Sequence, residues 1–349
     1  MSRALLGYDV LDVLRQAHRR SAGEPAIGTE HVLAALVDKA AVPAEVLRGV
    51  SEVGSTVDEP PVRAPAPEVV GVVREIAHRQ RRAVVLSDAV EDALLDALRD
   101  AGEGDGDGPV LVTVEHFGRA LLRLSGTRVA ELLARNGFTA EQVRIGPVPV
   151  DKSALTLLAE SNVLAGRDHP VKGALTNLFT RALGLGGSLL PLHLRALAGT
   201  QAVRGGRDAT TAADLLLGVL ALDELLHAHG EALKPELLPA NDAGTVLRSC
   251  GADAHALRAL VPSGRVFMGR PFLVTPAAPG EEEDVTRLSP AAERVMEAVR
   301  QRVSDGEQAG TRALVRELLD DEGGEVAKLL ARQGADVERL RAELAGTRA

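Results

Sequence analysis

Apolar residues recur at helical spacing along most of the chain. In the stretch DVLDVLRQAHRR, Val10, Val13, Leu14 and Ala17 fall at positions i, i+3, i+4 and i+7, which places them on one face of a helix. A later stretch, LSPAAERVMEAVRQRV, carries the same kind of apolar stripe. The pattern predicts an all-α fold built from short amphipathic helices.

Residues suited to helix starts precede several of these stripes. Thr29 is predicted to cap TEHVLAALV, with Glu30 in the first turn, where an acid opposes the helix dipole. Ser87 and Ser289 are predicted to cap two longer helices. Pro290 follows Ser289 at the first helical position, where a missing N–H costs least.

One motif occurs twice in nearly the same form. Residues 129–137 read VAELLARNG and residues 326–334 read VAKLLARQG, so seven of nine positions agree. A weaker copy, AGTVLRSCG, ends at Gly251. Each copy is predicted to be a short helix with one buried face, stopped by a glycine in the left-handed conformation. The repetition indicates an array of similar helical units rather than one large enzyme fold.

The same order of long helix, capped helix, short helix, glycine and final helix occurs four times. We number these segments repeats 1 to 4, at about residues 1–66, 67–148, 186–261 and 287–349. Repeats 1 and 2 are predicted to form one domain, 1–148, and repeats 3 and 4 a second, 186–349. Residues 149–185 are predicted to be a helical linker.

Composition narrows the function classes. With 45% hydrophobic and 26% charged residues, the 349-residue chain is typical of folded protein with room for two or three domains. A net charge of −9 argues against a dedicated nucleic-acid binder. The single Cys250 allows no intramolecular disulfide, and no stretch is long and apolar enough to span a bilayer. These features predict a cytoplasmic protein, and the excess of arginine over lysine fits a GC-rich bacterial genome.

The segment IGTEHVLAALV at 27–37 resembles the IGTEHLLLGLL signature of the N-terminal repeat domain of Clp-type bacterial unfoldases. The closing motif V-A-x-L-L-x-x-x-G, followed by a helix ending in L-R, is also similar to that family. The resemblance implies two tandem all-α domains, each a pseudo-twofold pair of four-helix repeats. In the family, ATPase modules with a G-x-x-x-x-G-K-[ST] loop follow this domain. No such string occurs here, so the resemblance does not extend to an ATPase module. We therefore expect no enzyme activity and no nucleotide cofactor.

The region between the two predicted domains leaves two interpretations open. Residues 155–183, LTLLAESNVLAGRDHPVKGALTNLFTRAL, look like the lead-in by which Clp unfoldases enter their first ATPase module, yet no module follows. The segment is therefore either a relic of that lead-in or a plain helical linker.

The resemblance also points to candidate site residues. Equivalents of Glu30 and Glu115 in the family can receive the guanidinium of phosphorylated arginine, and two carboxylate oxygens match the guanidinium fork. The alternative is that each glutamate only stabilises its helix against the dipole. His31 and His116, which follow them, are interpreted as helix-packing residues.

The second predicted domain departs from this pattern. The matching positions hold Ala213 and Arg312, and neither can accept a guanidinium. The aromatic residue that starts each repeat in the family, and contributes to a groove for peptide-like antibiotics, is replaced by Leu86 and Leu288. Guanidinium recognition is therefore expected only in the first domain. The loss of the aromatic at Leu86 and at Leu288 argues against antibiotic binding of that kind in either domain.

Other chemistry-bearing patterns are weak. Glu103, Asp105 and Asp107 alternate as in a calcium loop, but the last ligand position is out of register, so a solvated loop is favoured. Cys250 near His255 is not a credible nucleophile pair, and a small buried thiol is commoner. No metal site is predicted.

The sequence favours a non-enzymatic protein that binds peptides or Clp-system partners, as an adaptor, regulator or decoy in protein quality control. The client segments it binds would include ones that carry phosphoarginine. A protein that sequesters or senses peptide-like antibiotics is the first alternative, and a transcriptional regulator, disfavoured by charge, is the second.

Overall fold

The computed structural model describes residues 4–22, 24–47, 65–80, 83–102, 109–148, 154–166, 190–263, 287–308, 310–321 and 324–346. In these residues the chain is mostly helical, with sixteen α-helices and four strands of two or three residues. The predicted all-α class is therefore confirmed. The chain divides into two compact units, Met1–Asp151 and Lys152–Ala349.

Among the described residues, the first unit has six α-helices and the second has ten. The first unit runs through β1 (Ala4–Leu6), α1 (Tyr8–Arg20), α2 (Thr29–Asp38), a 3-10 turn (Ala44–Leu47), α3 (Pro67–Gln80), α4 (Asp88–Gly102), β2 (Val110–Val112), α5 (Val114–Arg123), α6 (Arg128–Arg135) and a 3-10 turn (Ala140–Gln142). The second runs through α7 (Ala154–Glu160), α8 (Leu190–Arg204), β3 (Ala209–Thr210), α9 (Ala212–Ala228), α10 (Leu238–Asn241), α11 (Ala243–Ser249), α12 (Ala254–Leu260), β4 (Arg287–Leu288), α13 (Pro290–Ser304), α14 (Thr311–Asp320), α15 (Glu325–Gln333) and α16 (Val337–Ala345).

Two of the three predicted N-caps are confirmed. Ser289 precedes α13 and Ser87 precedes α4, and each hydroxyl accepts the N–H of the third residue of its helix. Pro290 opens α13 as predicted. The prediction for Thr29 is wrong, because Gly28 holds the N-cap position of α2. The buried Thr29 hydroxyl instead accepts an N–H from α6.

The glycine of the repeated motif stops a helix in all three copies. Gly137, Gly251 and Gly334 follow α6, α11 and α15 with φ values of 75°, 89° and 95°. These left-handed conformations confirm the predicted stops and allow the chain to turn back under each helix. The leucine pairs of the two strong copies are buried, which confirms their predicted inward face.

Short parallel pairings cross between the two repeats of the first unit. Strand β1, which leads into α1, pairs with β2, which leads into α5. Ile27, which leads into α2, pairs with Leu86, which leads into α4. Each pairing therefore joins the start of a long helix in one repeat to the start of a capped helix in the other. In the second unit, β3 leads into α9 and pairs in parallel with β4, which leads into α13.

The core of the first unit is aliphatic, in keeping with a sequence that holds no tryptophan, one tyrosine and five phenylalanines. Phe117 is its largest fully buried side chain, and the remaining core residues are leucine, valine, isoleucine and alanine. All four residues of the predicted stripe in α1 are buried. Full burial of one such side chain stabilises the fold by about 1.5–3 kcal/mol.

The second unit is built around α9, which is apolar on nearly all sides. Helix α8 packs along it, and Gly218 of α9 lies against the backbone of α8. A Cβ added to Gly218 would lie 3.0 Å from the Ala198 nitrogen and 3.1 Å from the Leu194 carbonyl oxygen. Because these neighbours are backbone atoms, a side chain at this position would require the two helices to move apart by a few tenths of an ångström.

Part of the predicted linker packs on the second unit. Helix α7 contacts α8, and Leu158 within it is fully buried. The following residues make two backbone hydrogen bonds to the segment after α9, from Ala165 to Ala232 at 2.8 Å and from Lys234 to Val163 at 3.0 Å. The predicted ranges 1–148 and 186–349 for two domains remain predictions, as do the two interpretations of 155–183, of which residues 167–183 lie outside the described residues.

Candidate functional site

The two predicted site residues occupy equivalent positions at the starts of two helices. Glu30 is the second residue of α2, Glu115 is the second residue of α5, and a histidine follows each of them. We call Gly28–His31 the first copy of this helix-start motif and Thr113–His116 the second copy.

His31 closes the N-terminus of α2 with its ring. Its Nδ1 accepts the N–H of Gly28 at 3.0 Å, which satisfies one of the donors that a helix start leaves free. With Nδ1 as acceptor, the proton of the neutral ring is on Nε2, which lies 3.4 Å from Oε1 of Glu24. The interpretation of His31 as a packing residue accounts for its burial, with 9% of the side chain exposed, but misses this capping role.

The carboxylate of Glu30 folds back over Gly28. A Cβ added to Gly28 would overlap both carboxylate oxygens and lie 2.7 Å from Cδ, so any other residue here would require the Glu30 carboxylate to move. Oε1 of Glu30 lies 3.3 Å from Nδ1 of His31, and 23% of the side chain is exposed. In the part of the chain that the structure describes, no lysine or arginine forms an ion pair with Glu30.

Glu24 is a site residue that the sequence patterns missed. It lies in the turn before α2, and its Oε1 faces the ring of His31. Its Oε2 is buried and has no hydrogen-bond partner among the described residues, although 21% of the side chain is exposed. A desolvated carboxylate oxygen is costly unless a donor or a cation meets it. Because Glu24 lies outside any helix, helical periodicity carries no signal for it.

The second copy uses the same cap with different surroundings. Nδ1 of His116 accepts the N–H of Thr113 at 3.2 Å and lies 2.9 Å from the Thr113 hydroxyl. Glu115 is 51% exposed and forms an ion pair with Arg119, one turn further along α5. The carboxylate of Glu115 is therefore already neutralised by its own helix.

The second unit uses the equivalent positions for internal contacts. Ala213 is buried, and the next residue, Asp214, accepts the Thr211 N–H at 2.9 Å and forms a buried ion pair with Arg207. Arg312 donates through Nη2 to Asp242 at 2.9 Å. The hydrogen bonds to the Asp242 carboxylate raise the pKa of Arg312. Neither position offers an acceptor to a ligand.

Glu24, Glu30 and His31 form the one cluster of three potential metal ligands among the described residues, with one ligand atom of each within 4.8 Å of the others. A metal ion would have to displace the Gly28 N–H from Nδ1 or the proton from Nε2. An organic cation needs only acceptor oxygens, which both carboxylates supply. The cluster therefore suits a guanidinium or ammonium group better than a metal ion.

Two other pairs of side chains, His193 with Ser161 and Cys250 with His255, combine a histidine with a hydroxyl or thiol. Nε2 of His193 lies 2.7 Å from the Ser161 hydroxyl, and Ser161 donates to the Leu157 carbonyl oxygen at 2.7 Å. Nε2 therefore donates to the hydroxyl, and burial lowers the His193 pKa to about 4, so this is a structural hydrogen-bond chain. Cys250 is buried while His255 is exposed, which fits the predicted structural thiol.

Glu103, Asp105 and Asp107, the rejected calcium loop, lie outside the described residues. Among the helices that are described, none has both the length and the apolar composition needed to cross a bilayer. The chain matches no protein-family model, and no curated protein shows significant sequence similarity to it.

Proposed function

We propose that the protein is a non-enzymatic peptide-binding module related to the N-terminal repeat domains of Clp unfoldases. In this proposal it acts in the cytoplasm as an adaptor, regulator or decoy of the Clp proteolytic system. Its first unit recognises the guanidinium group of arginine or phosphoarginine in client or partner segments. Two tandem domains, each a pseudo-twofold pair of four-helix repeats, are part of the proposal.

The proposal rests mainly on the surroundings of the Glu30 carboxylate. Its carboxylate is partly exposed at a helix start, has no cationic partner among the described residues, and is held over Gly28. A guanidinium presents paired N–H donors that match the two oxygens of a carboxylate. The site can therefore accept an arginine side chain without breaking an existing ion pair.

The helical scaffold gives the proposal further support. The segment that carries the family resemblance forms the start of α2, and Ile27 within it pairs with Leu86 of the next repeat. The crossed pairings relate the long and capped helices of repeats 1 and 2 in the way that a pseudo-twofold pair requires.

Peptide titration tests the proposal. The full chain is titrated with labelled peptides that carry one phosphoarginine, one arginine or one citrulline at the same position, and binding is followed by anisotropy. The proposal predicts saturable binding of at least one guanidinium peptide, with the neutral citrulline peptide bound at least tenfold more weakly. Glu30→Gln should weaken binding roughly tenfold or more, because a charge-assisted bond contributes about 1.5–3 kcal/mol.

Glu45→Gln is the matched control, because Glu45 is exposed in the same unit and its substitution should leave binding unchanged. Equal binding of all three peptides, or equal affinity of the parent and Glu30→Gln, would contradict the proposal.

Sequestration of peptide-like antibiotics is less well supported. Leu86 replaces the aromatic residue that contributes to the antibiotic groove in the family, and it is buried in the pairing with Ile27. A buried aliphatic residue at this position offers no ring surface to a ligand.

A further inference from the structure

We propose that the two copies of the helix-start motif are not equivalent, and that the first copy, with Glu24 and Glu30 beside buried His31, selects an unmodified guanidinium over a phosphorylated one. This inference rests on the proposed function, because it concerns which arginine form the same site prefers. Glu24 is its specificity-determining residue, and Gly28 is its positioning residue.

The first copy carries two acidic side chains side by side. Glu24 and Glu30 are two carboxylates flanking one ring, and the described contacts of neither include a lysine or arginine. With a neutral imidazole the site carries a formal charge of −2. A guanidinium carries +1 and is attracted, whereas phosphoarginine adds a phosphoryl group whose negative charge the carboxylates repel.

Parts of the first copy are also shielded from water. His31 is nine-tenths buried, and the Oε2 atom of Glu24 is buried without a hydrogen-bond partner among the described residues. Charge interactions are stronger where water is excluded, so this carboxylate gains more from an approaching cation than an exposed one does. Among the described residues no lysine or arginine balances these two carboxylates, so an approaching cation is attracted by both of them.

The two copies also differ at the residue before the helix. The Glu30 carboxylate occupies the space that a Cβ at position 28 would need. In the second copy, Thr113 holds this position, and Glu115 points instead to Arg119. The residue before the helix thus correlates with whether the glutamate stays beside the histidine or turns along the helix surface.

The second copy supplies the internal comparison. Glu115 and Arg119 together carry no net charge and are both exposed. An acid and a base side by side do not repel a phosphoryl group on a guanidinium. The two copies therefore differ in net charge by two, and only the first copy is predicted to prefer unmodified arginine over phosphoarginine.

The test uses the full chain with the arginine, phosphoarginine and citrulline peptides, in parent, Glu24→Gln, Glu24→Asp and Glu45→Gln proteins. The parent should bind the arginine peptide at least fivefold more tightly than the phosphoarginine peptide. Glu24→Gln should weaken arginine binding about tenfold and reduce this preference to twofold or less. Glu24→Asp keeps the charge and should retain the preference, and Glu45→Gln should match the parent.

Gly28→Ala tests the positioning role. The Cβ would displace only the flexible end of Glu30, so thermal unfolding followed by Tyr8 fluorescence should change little while arginine binding falls at least threefold. Tyr8 is the single tyrosine and there is no tryptophan, so this signal reports the first unit alone.

The outcomes separate the inference from the function on which it rests. Failure of every guanidinium peptide to bind the parent would overturn both. Arginine binding that depends on Glu30 but is unchanged in Glu24→Gln, or a parent preference for phosphoarginine, would overturn the inference alone. Zinc binding by calorimetry that excludes the arginine peptide and is lost in Glu24→Gln would also overturn it, in favour of a metal centre.

Discussion

The two units use the start of the equivalent helix in opposite ways. In the first unit, the second residue of α2 is Glu30, a carboxylate near the surface without a cationic partner among the described residues. In the second unit, the start of α9 is internal: Ala213 is buried, and Asp214 holds Arg207 in a buried ion pair. The same helix start can therefore present a charge to a ligand, or it can neutralise that charge in an ion pair inside the fold.

The energetic consequence is a trade between binding and stability. An unpartnered carboxylate contributes little to folding but keeps its full charge for a ligand. In a buried and hydrogen-bonded ion pair, neither charge is available to a ligand. Removal of either partner leaves the other charge buried and unpaired. Perturbing the helix starts should therefore affect binding in the first unit and folding in the second.

The largest expected effect is on the buried pair of the second unit. Asp214→Ala should lower the free energy of unfolding of that unit by about 3–5 kcal/mol, because Arg207 would remain buried without its counter-charge. Denaturant unfolding followed by circular dichroism should shift, while the Tyr8 fluorescence transition of the first unit should not. His116→Ala, at the equivalent position of α5, should cost only the capping contribution of about 0.5–2 kcal/mol. Equal losses from the two substitutions would contradict this difference between the two units.

The next largest effect is expected on the stability of the second unit as the pH falls. Burial lowers the His193 pKa to about 4, whereas the unfolded chain titrates near the ordinary value of 6.5. The unfolded state therefore binds the proton first as pH falls. The stability held above pH 6.5 should be lost progressively down to pH 4, by on the order of 3 kcal/mol in total.

The measurement is denaturant unfolding by circular dichroism at pH 7.5 and pH 4.5. His193→Gln should lose less stability between these two values than the parent does, since the other titrating groups are common to both proteins. The same loss in both proteins would contradict the assignment of the effect to His193.

Two helical glycines test the difference in packing between the units. Gly218→Ala would place a Cβ against backbone atoms of α8, so overpacking should lower stability by about 1–3 kcal/mol. For Gly118→Ala in α5, the three atoms nearest the new Cβ all belong to the Ile145 side chain, at 3.0–3.2 Å, and a side chain yields more readily than backbone. The higher helix propensity of alanine should then make Gly118→Ala neutral or stabilising by up to about 1 kcal/mol. Thermal unfolding of the two variants side by side checks this, and destabilisation by Gly118→Ala of equal size would contradict it.

The smallest expected effect concerns the pair that neutralises the second copy. Arg119→Ala removes an exposed pair within one helix and should change stability by no more than about 0.5 kcal/mol. It should nevertheless free Glu115 for a ligand. In a Glu30→Gln background, Arg119→Ala is expected to strengthen arginine-peptide binding a few-fold, measured by anisotropy. No gain would show that the second copy is not a latent site.

Much of the local structure was predictable from sequence because it depends on neighbours along the chain. The stripe of α1, the Ser87 and Ser289 caps and the left-handed glycines are set by helical periodicity and by the rules of helix ends. Thr29 shows the limit of those rules. Its hydroxyl bonds to α6, a helix remote in sequence, while a histidine ring closes the helix start in its place.

The sequence alone is enough to predict the all-α class, the repeated helix–glycine units and the positions of Glu30 and Glu115 in the first turns of their helices, because these follow from short-range periodicity and helix-end chemistry. Packing in three dimensions sets the rest: Glu24 lies beside His31, Glu115 pairs with Arg119 while no lysine or arginine among the described residues pairs with Glu30, and α9 runs through the interior of its unit. Those features depend on which surfaces meet and which charges lose water when the helices pack, and no spacing along the chain encodes that.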